Sequence, residues 1–512
     1  MKKGNFKNLV LIFSIISFCL VFFFAGIFAF PFSRANSNIS IDESNGVSIY
    51  VNGEYVVKNA DGTYSVTKDS SVTIIAINEY KIFKKLLISD GATTTEVDNN
   101  YRMNLTTSSK ISISASSIAA SENDKGNLFA NPYLIDDSLD LSALSDIFAY
   151  KDGKDVTDQL VASFKRFLNI EEGSISHDKA KEYRNSLIGK YYRVIDDILL
   201  SQDEFYGIGN SINPFIGCFD FLNNNIIINV SSSNYESMFN NATNEMDIGL
   251  FGSITSSTTQ PSIIRNANVK GSISISGNHT DSSAVINAGG VAGKIDENVI
   301  LRNVNSAVSV SVSDNCSINI GGVFGTLSTP IESKANIVYS GANASLNANS
   351  KGAGSNVNAG FLCGLLDNVY CNDFLSTTTS SRIITNLTND VNGNCNAAGG
   401  IGIITNVDGD YNELTISNIL VKTKGEVIVS STINNSKGSN VNYANAAGAY
   451  GNIECDSKKT IIIDPVFIDK VDDSIDSDNS EIKISASATS SESFGNAYAG
   501  GLFGYLDAAN SN

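Results

Sequence analysis

A short glycine motif recurs along the second half of the chain, and it limits the available folds more than any other feature. Residues 287–295 read NAGGVAGKI, residues 319–327 read NIGGVFGTL, and residues 497–506 read AYAGGLFGYL. Aligned on the second glycine, copies fall at Gly249, Gly290, Gly322, Phe361 (in NAGFLCG), Gly400, Gly448 and Gly501, at intervals of 41, 32, 39, 39, 48 and 53 residues. Periods of about 20–50 residues signal a solenoid, a propeller or an array. Between copies lie SIIRNANVKGSISIS, NVILRNVNSAVSVSVS and LTISNILVKTKGEVIVSS, where β-branched residues alternate around an Asn or Gly turn. None of these segments has the 3.6-residue period of a helix, so helical repeat classes are excluded.

The expectation is an all-β chain dominated by a right-handed parallel β-helix, a solenoid whose coils stack about 4.8 Å apart. At a tight corner a side chain would collide with the turn or demand a positive φ, and glycine avoids both. The residues between the glycines, Val291-Ala292, Val323-Phe324 and Leu502-Phe503, are expected to send a side chain inward onto its counterpart in the next coil. A phosphate loop would need Lys and Ser/Thr after the glycines and a strand-to-helix setting, which neither GGVAG nor GGVFG has. The polar flanks exclude a transmembrane glycine-zipper reading.

With 512 residues the chain exceeds one ordinary core and calls for several domains or a repeat array. Its 53 Asp and Glu against 35 Lys and Arg give a formal charge of −18, which would repel nucleic acid and anionic lipid. At the N-terminus Lys2, Lys3 and Lys7 precede the apolar run LVLIFSIISFCLVFFFAGIFAF (9–30), the pattern of an export signal. Ser33-Arg34-Ala35 offers small residues for cleavage after Ala35, while the run is also long enough to stay as an N-terminal anchor. Residues 1–35 are therefore a signal peptide or membrane anchor, and the remainder is expected outside the cell. Beyond Cys19, the cysteines Cys218, Cys316, Cys363, Cys371, Cys395 and Cys455 show no CxxC and no fixed spacing, which supports neither a zinc site nor a disulfide scaffold. Cys218 and Cys363 read as small core side chains, with a Cys363–Cys371 bridge as the alternative for the latter.

Residues 38–118 alternate in the period of strands, with turns at Asn52-Gly53 and Asp61-Gly62, and predict a small β-sandwich. The order VSIYVNGEYVVKNADGTYSVTKDSSVTIIAI, a Tyr80-x-x-Phe83 step and a closing strand resembles the internalin-type B-repeat of bacterial surface proteins, which implies an extracellular spacer without catalytic residues. A polar linker follows (119–130), and a helical insert is expected at about 155–187, where VTDQLVASFKRFLNIEE and HDKAKEYRNSL have helix-compatible spacing. Around it stand Asn131-Pro132-Tyr133, Gly189 to Ser201 (GKYYRVIDDILLS), Pro214 to Asp220 (PFIGCFD) and Gly249 to Gly252 (GLFG). This order resembles the entry segment of bacterial GLUG-motif surface proteins, and the likeness extends over about 128–512. It implies adhesion or surface architecture. Two departures are the helical insert and FLNNN after Asp220, where Asn must adopt the dihedrals that glycine usually supplies.

Candidate chemistry is sparse. His177 and His279 are isolated from each other, and no Ser stands in a nucleophile elbow. Asp196, Asp197 and Asp220 are the carboxylates nearest to a glycosidase-like set, yet adjacent strand residues face opposite sides and Asp220 suits a turn in which it holds backbone N–H groups. Asp408, Asp410, Asn412 and Glu413 surround a glycine but lack a full calcium loop, and DDSIDSDNS (472–480) reads as a solvated acidic loop. No catalytic, cofactor or metal residues are assigned. The chain is read as a non-enzymatic, secreted or surface-tethered adhesin or structural protein that meets host or matrix glycans, proteins or neighbouring surface proteins through a repetitive flank. The alternatives are a carbohydrate-active β-helix enzyme and a pure stalk. The last repeat, AGGLFGYLDAANSN, stops without the strands that follow the earlier copies, so either a longer chain or a separate cover for that end is expected.

Overall fold

The computed structural model describes residues 36–507 apart from short connections, the longest being 105–110, 119–124, 233–238, 329–336, 368–379, 407–412 and 471–481. The export segment, Cys371, Asp408, Asp410, Asn412, the 472–480 stretch, Gly501 and Leu502 lie outside the described residues, as does the side chain of Glu413. Among the described residues no helix is long and apolar enough to cross a membrane.

Residues 36–118 form two sheets. One has the order Thr63–Thr67, Asn36–Ile41, Ile111–Ile118, Ile82–Ser89, Thr94–Asp98, and the other Glu54–Tyr55, Val47–Val51, Ser71–Ala76, Tyr101–Asn104. Ile49, Val72 and Ile74 from one sheet and Val66, Leu86 and Ile113 from the other share a buried cluster, as alternating apolar residues require. Val47–Val51 and Glu54–Tyr55 pair antiparallel, Val51 with Glu54, and Asn52-Gly53 itself lies outside the described residues. Asp61-Gly62 lies outside the described residues; the Asn59 backbone N–H donates to the Thr63 carbonyl across it, and Thr63–Thr67 pairs with Asn36–Ile41.

The rest of the chain is mostly β, in parallel sheets, with three described helices. A long sheet runs Tyr133–Ile135, Lys190–Val194, Gly217–Asp220, Ser262–Ser276, Val299–Asp314, Ala344–Ser350, Ser380–Asn389, Val421–Ser436, Ile468–Lys470. A second holds Glu245–Ile248, Val285–Gly289, Ser317–Gly321, Val357–Gly360, Cys395–Ala398, Asn442–Ala447 and Gly495–Gly500. A third holds Phe251–Ile254, Ala292–Ile295, Phe324–Leu327, Cys363–Asp367, Ile401–Asn406, Tyr450–Cys455 and Phe503–Asp507. Each repeat contributes a long-sheet strand, a second-sheet strand, the glycine turn and a third-sheet strand, and the next repeat pairs with it in parallel. The long strands bend where Asn266 and Asn303 adopt φ of 58° and 49°, and in FLNNN the same turn falls on Leu222 and Asn223 at 50° and 63°.

The glycines have two jobs. Between the second and third sheets the chain turns so sharply that a Cβ on Gly360 would sit 2.6 Å from the carbonyl oxygen of Cys363. The last glycine of the motif is not at a corner at all. A Cβ on Gly325 would meet the oxygen of Gly293 at 2.5 Å and the nitrogen of Ala288 at 2.6 Å, so the third sheet lies backbone to backbone on the second. This is far closer than the roughly 10 Å of ordinary sheet packing. The register also corrects the alignment of the copies. Ile248 pairs with Ala288, and Ala359 with Ala397, so Gly249 falls among the first glycines and Gly399, rather than Gly400, follows Phe361 in the second column.

Helices α1 (Ser138–Ala149), α2 (Asp158–Phe167) and α3 (His177–Leu187) precede the repeats. The last two lie in the expected insert; α1 lies before it, in DDSLDLSALSDIFA. Asp137, Thr157 and Ser176 cap them by accepting the backbone N–H of Asp140, Leu160 and Lys179. Their apolar faces close over an aromatic cluster: Phe148 lies 5.5 Å from Phe215, and Phe167 lies 6.2 Å from Tyr192.

Candidate functional site

The outward positions of the long sheet carry hydroxyls and amides in register. Ser274 pairs with Ser311 and Ser311 with Asn347; Ser276 pairs with Ser313 and Ser313 with Asn349. Their inward neighbours Ile273, Ile275, Val310, Val312, Leu346 and Ala348 are buried, because alternate residues of a strand face opposite sides. Ser272, Ser274, Ser276 and Ser311 are exposed, and Asn347 and Asn349 half-buried. The result is a neutral grid with about 4.8 Å between strands and about 6.7 Å between alternate residues, on a chain of strongly negative total charge.

Amide ladders cross the same strands. The first starts at Asp197, whose carboxylate accepts the Asn225 backbone N–H at 2.7 Å and its side-chain amide at 2.9 Å; these bonds hold Asp197 below the usual carboxylate range. Asn268 then donates to Asn225 and Asn305 to Asn268. In the second ladder Asn266 donates to Asp220 at 2.9 Å and Asn303 to Asn266. The third lies buried where the second and third sheets meet. Asn287 donates to Asp247 at 2.8 Å, Asn319 to Asn287, Asn358 to Asn319, Asn396 to Asn358, and Asn445 to Asn396. Each of these asparagines stands two residues before the first glycine position of its repeat. That fixed spacing is the signal in the sequence that marks the ladder.

Asp196, Asp197 and Asp220 each hold a hydrogen bond to nearby backbone. Asp196 and Asp197 lie in the connection after the Lys190–Val194 strand, so opposite strand faces are not what separates them; Asp197 is tied to Asn225, while Asp196 accepts the Asp197 backbone N–H. Asp220 is buried, 2.9 Å from Arg265, and accepts the backbone N–H of Leu222, so it holds its own turn. His177 begins α3, with Nδ1 3.1 Å from the Tyr150 hydroxyl, and His279 stacks on Phe239 with ring centroids 4.0 Å apart. Cys218, Cys316, Cys363 and Cys395 are buried, as small core side chains are, and Cys371, the alternative partner of Cys363, lies outside the described residues.

Asp136, Asp137 and Asp140 bring carboxylate oxygens within 4.8 Å of one another, a grouping that escaped the sequence reading. Arg166 already fills the role of a cation there, 2.6 Å from Asp140 and 2.8 Å from Asp137. The cluster ties α2 to the start of α1. Comparison with protein-family models, with curated proteins and with solved structures found no match to this chain.

Proposed function

We propose that the chain is a non-catalytic, exported surface protein of bacterial type, built as a right-handed parallel β-helix, whose long face binds neutral, hydroxyl-rich glycans as an adhesin would. The β-helix reading is supported by repeat-to-repeat parallel register in three sheets, and its hand follows from the strong right-handed preference of parallel crossovers. The likeness of the entry segment to GLUG-motif surface proteins and the basic-then-apolar N-terminus support export and a surface role.

The observation that carries the binding reading is the neutral grid of Ser272, Ser274, Ser276, Ser311, Asn347 and Asn349. Each hydroxyl or amide contributes a weak hydrogen bond, and many held in register act together through effective concentration. The test is binding of the full chain to arrayed glycans and matrix proteins, beside a Ser274→Glu/Ser311→Glu variant of unchanged thermal midpoint. Glycan binding weakened at least about tenfold by the double substitution supports the reading. Binding only to proteins, an unaffected variant, new chain ends in an offered polysaccharide, or no binding at all each overturns it; the last two point to the enzyme and the stalk.

A further inference from the structure

All three amide ladders run in one direction and begin on an aspartate at their N-terminal end. The chemistry explains the coincidence. An asparagine that donates its amide to the preceding repeat and accepts from the following one leaves a donor at the head of the ladder, and an ionised carboxylate can only accept. Asp197, Asp220 and Asp247 therefore set the polarity of everything stacked behind them. Chains of this kind strengthen one another in a low-dielectric interior.

The three heads differ in how their charge is treated. Asp197 is solvated and doubly hydrogen-bonded by Asn225. Asp220 is buried but sits on the Arg265 guanidinium. Asp247 is buried, receives one hydrogen bond from Asn287 on Oδ1, and has no partner on Oδ2. The charged groups acting on it are Glu245 from its own strand, and Lys294 and Asp296 from the third-sheet strand of the next repeat and the residue after it. Lys294 offsets this only in part, because its ammonium is shared with both oxygens of Glu245 at 3.2 Å and lies 3.9 Å from Asp296. A buried, half-satisfied carboxylate among two other carboxylates is an unfavourable place for a charge.

We propose that Asp247 is a proton-binding head group, which takes up a proton in the folded chain so that acidification tightens the first rungs of the stack and alkalinisation loosens them. A neutral carboxyl still accepts from Asn287 through Oδ1, so the ladder survives the protonation. Burial pushes the Asp247 carboxyl from 3.8 up to about 7. Between those values the folded chain holds a proton that the unfolded chain has lost. Stability therefore falls as pH rises through that window and levels off above about 7. The inference does not depend on the glycan-binding reading.

The experiment is thermal unfolding of the full chain from about pH 5.5 to about pH 8.5, beside an Asp247→Asn variant that continues the ladder with a neutral amide. The wild type is expected to lose several degrees of midpoint across the range, and the variant to lose little and to exceed the wild type at the alkaline end. A flat wild-type profile, or an equal slope in the variant, overturns the proposal. Should the variant fail to fold, carboxyl ¹³C shifts of aspartate in the unaltered chain decide. An aspartate titrating near neutrality supports the proposal, and none titrating above the ordinary range overturns it.

Discussion

Between Tyr133 and Ile254 the core is built of rings: Tyr133, Tyr192, Phe215, Phe219, Phe221 and Phe251 pack on one another, with α1 to α3 over them. Between Ser262 and Ile453 the buried side chains are mainly Val, Ile, Leu and Ala, with the asparagine ladder threaded through them. The entry segment has no preceding repeat on one side, so its inner surface is irregular and needs large residues and helices to fill it. In the repeats most strand positions have an equivalent in the neighbouring repeat. A polar side chain can be buried there because its neighbour supplies the matching donor or acceptor. A glycine can bring two backbones into contact because the same approach recurs in each turn. Regularity makes unusual contacts tolerable, and the irregular end relies on volume.

The largest effect is expected where regularity is least forgiving. Gly325→Val should cost on the order of 5 kcal/mol and expose the neighbouring repeats to proteolysis, since a side chain there meets only backbone. Gly173→Val, where nothing lies within 4 Å, should change the unfolding midpoint very little. Equal effects would deny that the motif's last glycine serves sheet contact. Next comes Phe219→Ala in the entry core, about 4 kcal/mol by denaturant unfolding. Hydrogen exchange should rise first in Lys190–Val194 and Gly217–Asp220 and leave the Val357–Gly360 strand protected. Uniform loss of protection would merge the two regions into one cooperative unit. Smallest is Asn358→Ala, about 3 kcal/mol, because it strands the Asn319 carbonyl and the Asn396 amide, both buried. Its exchange signature should be centred on the second sheet, with the aromatic end unchanged.

The spacing of GGVAG and GGVFG, with β-branched alternation between copies, made the repeat and its strand content legible, and the helical insert could be read from composition and period. Other features were not legible. The third glycine looks like a second corner residue in one dimension, and only the approach of Gly325 to Gly293 and Ala288 reveals a sheet contact. Asn287, Asn319 and Asn358 recur at a constant offset, yet a lone asparagine before a glycine reads as turn chemistry. The Asp136, Asp137 and Asp140 cluster needed Arg166 from a distant helix before its purpose could be seen. The slip at Gly400 arose because AAGG offers two glycines and nothing local says which one stacks on Phe361.

Residue order alone determined that strands would alternate with glycine turns at a repeat spacing, because side-chain periodicity and backbone freedom are local properties of the chain. Whether an aspartate is an ordinary exposed carboxylate or the head of a buried ladder was decided only when repeats met in register. The electrostatic cost of Asp247 depends on what surrounds it, and Asn287, Lys294 and Asp296 reach it from 40 or more residues away.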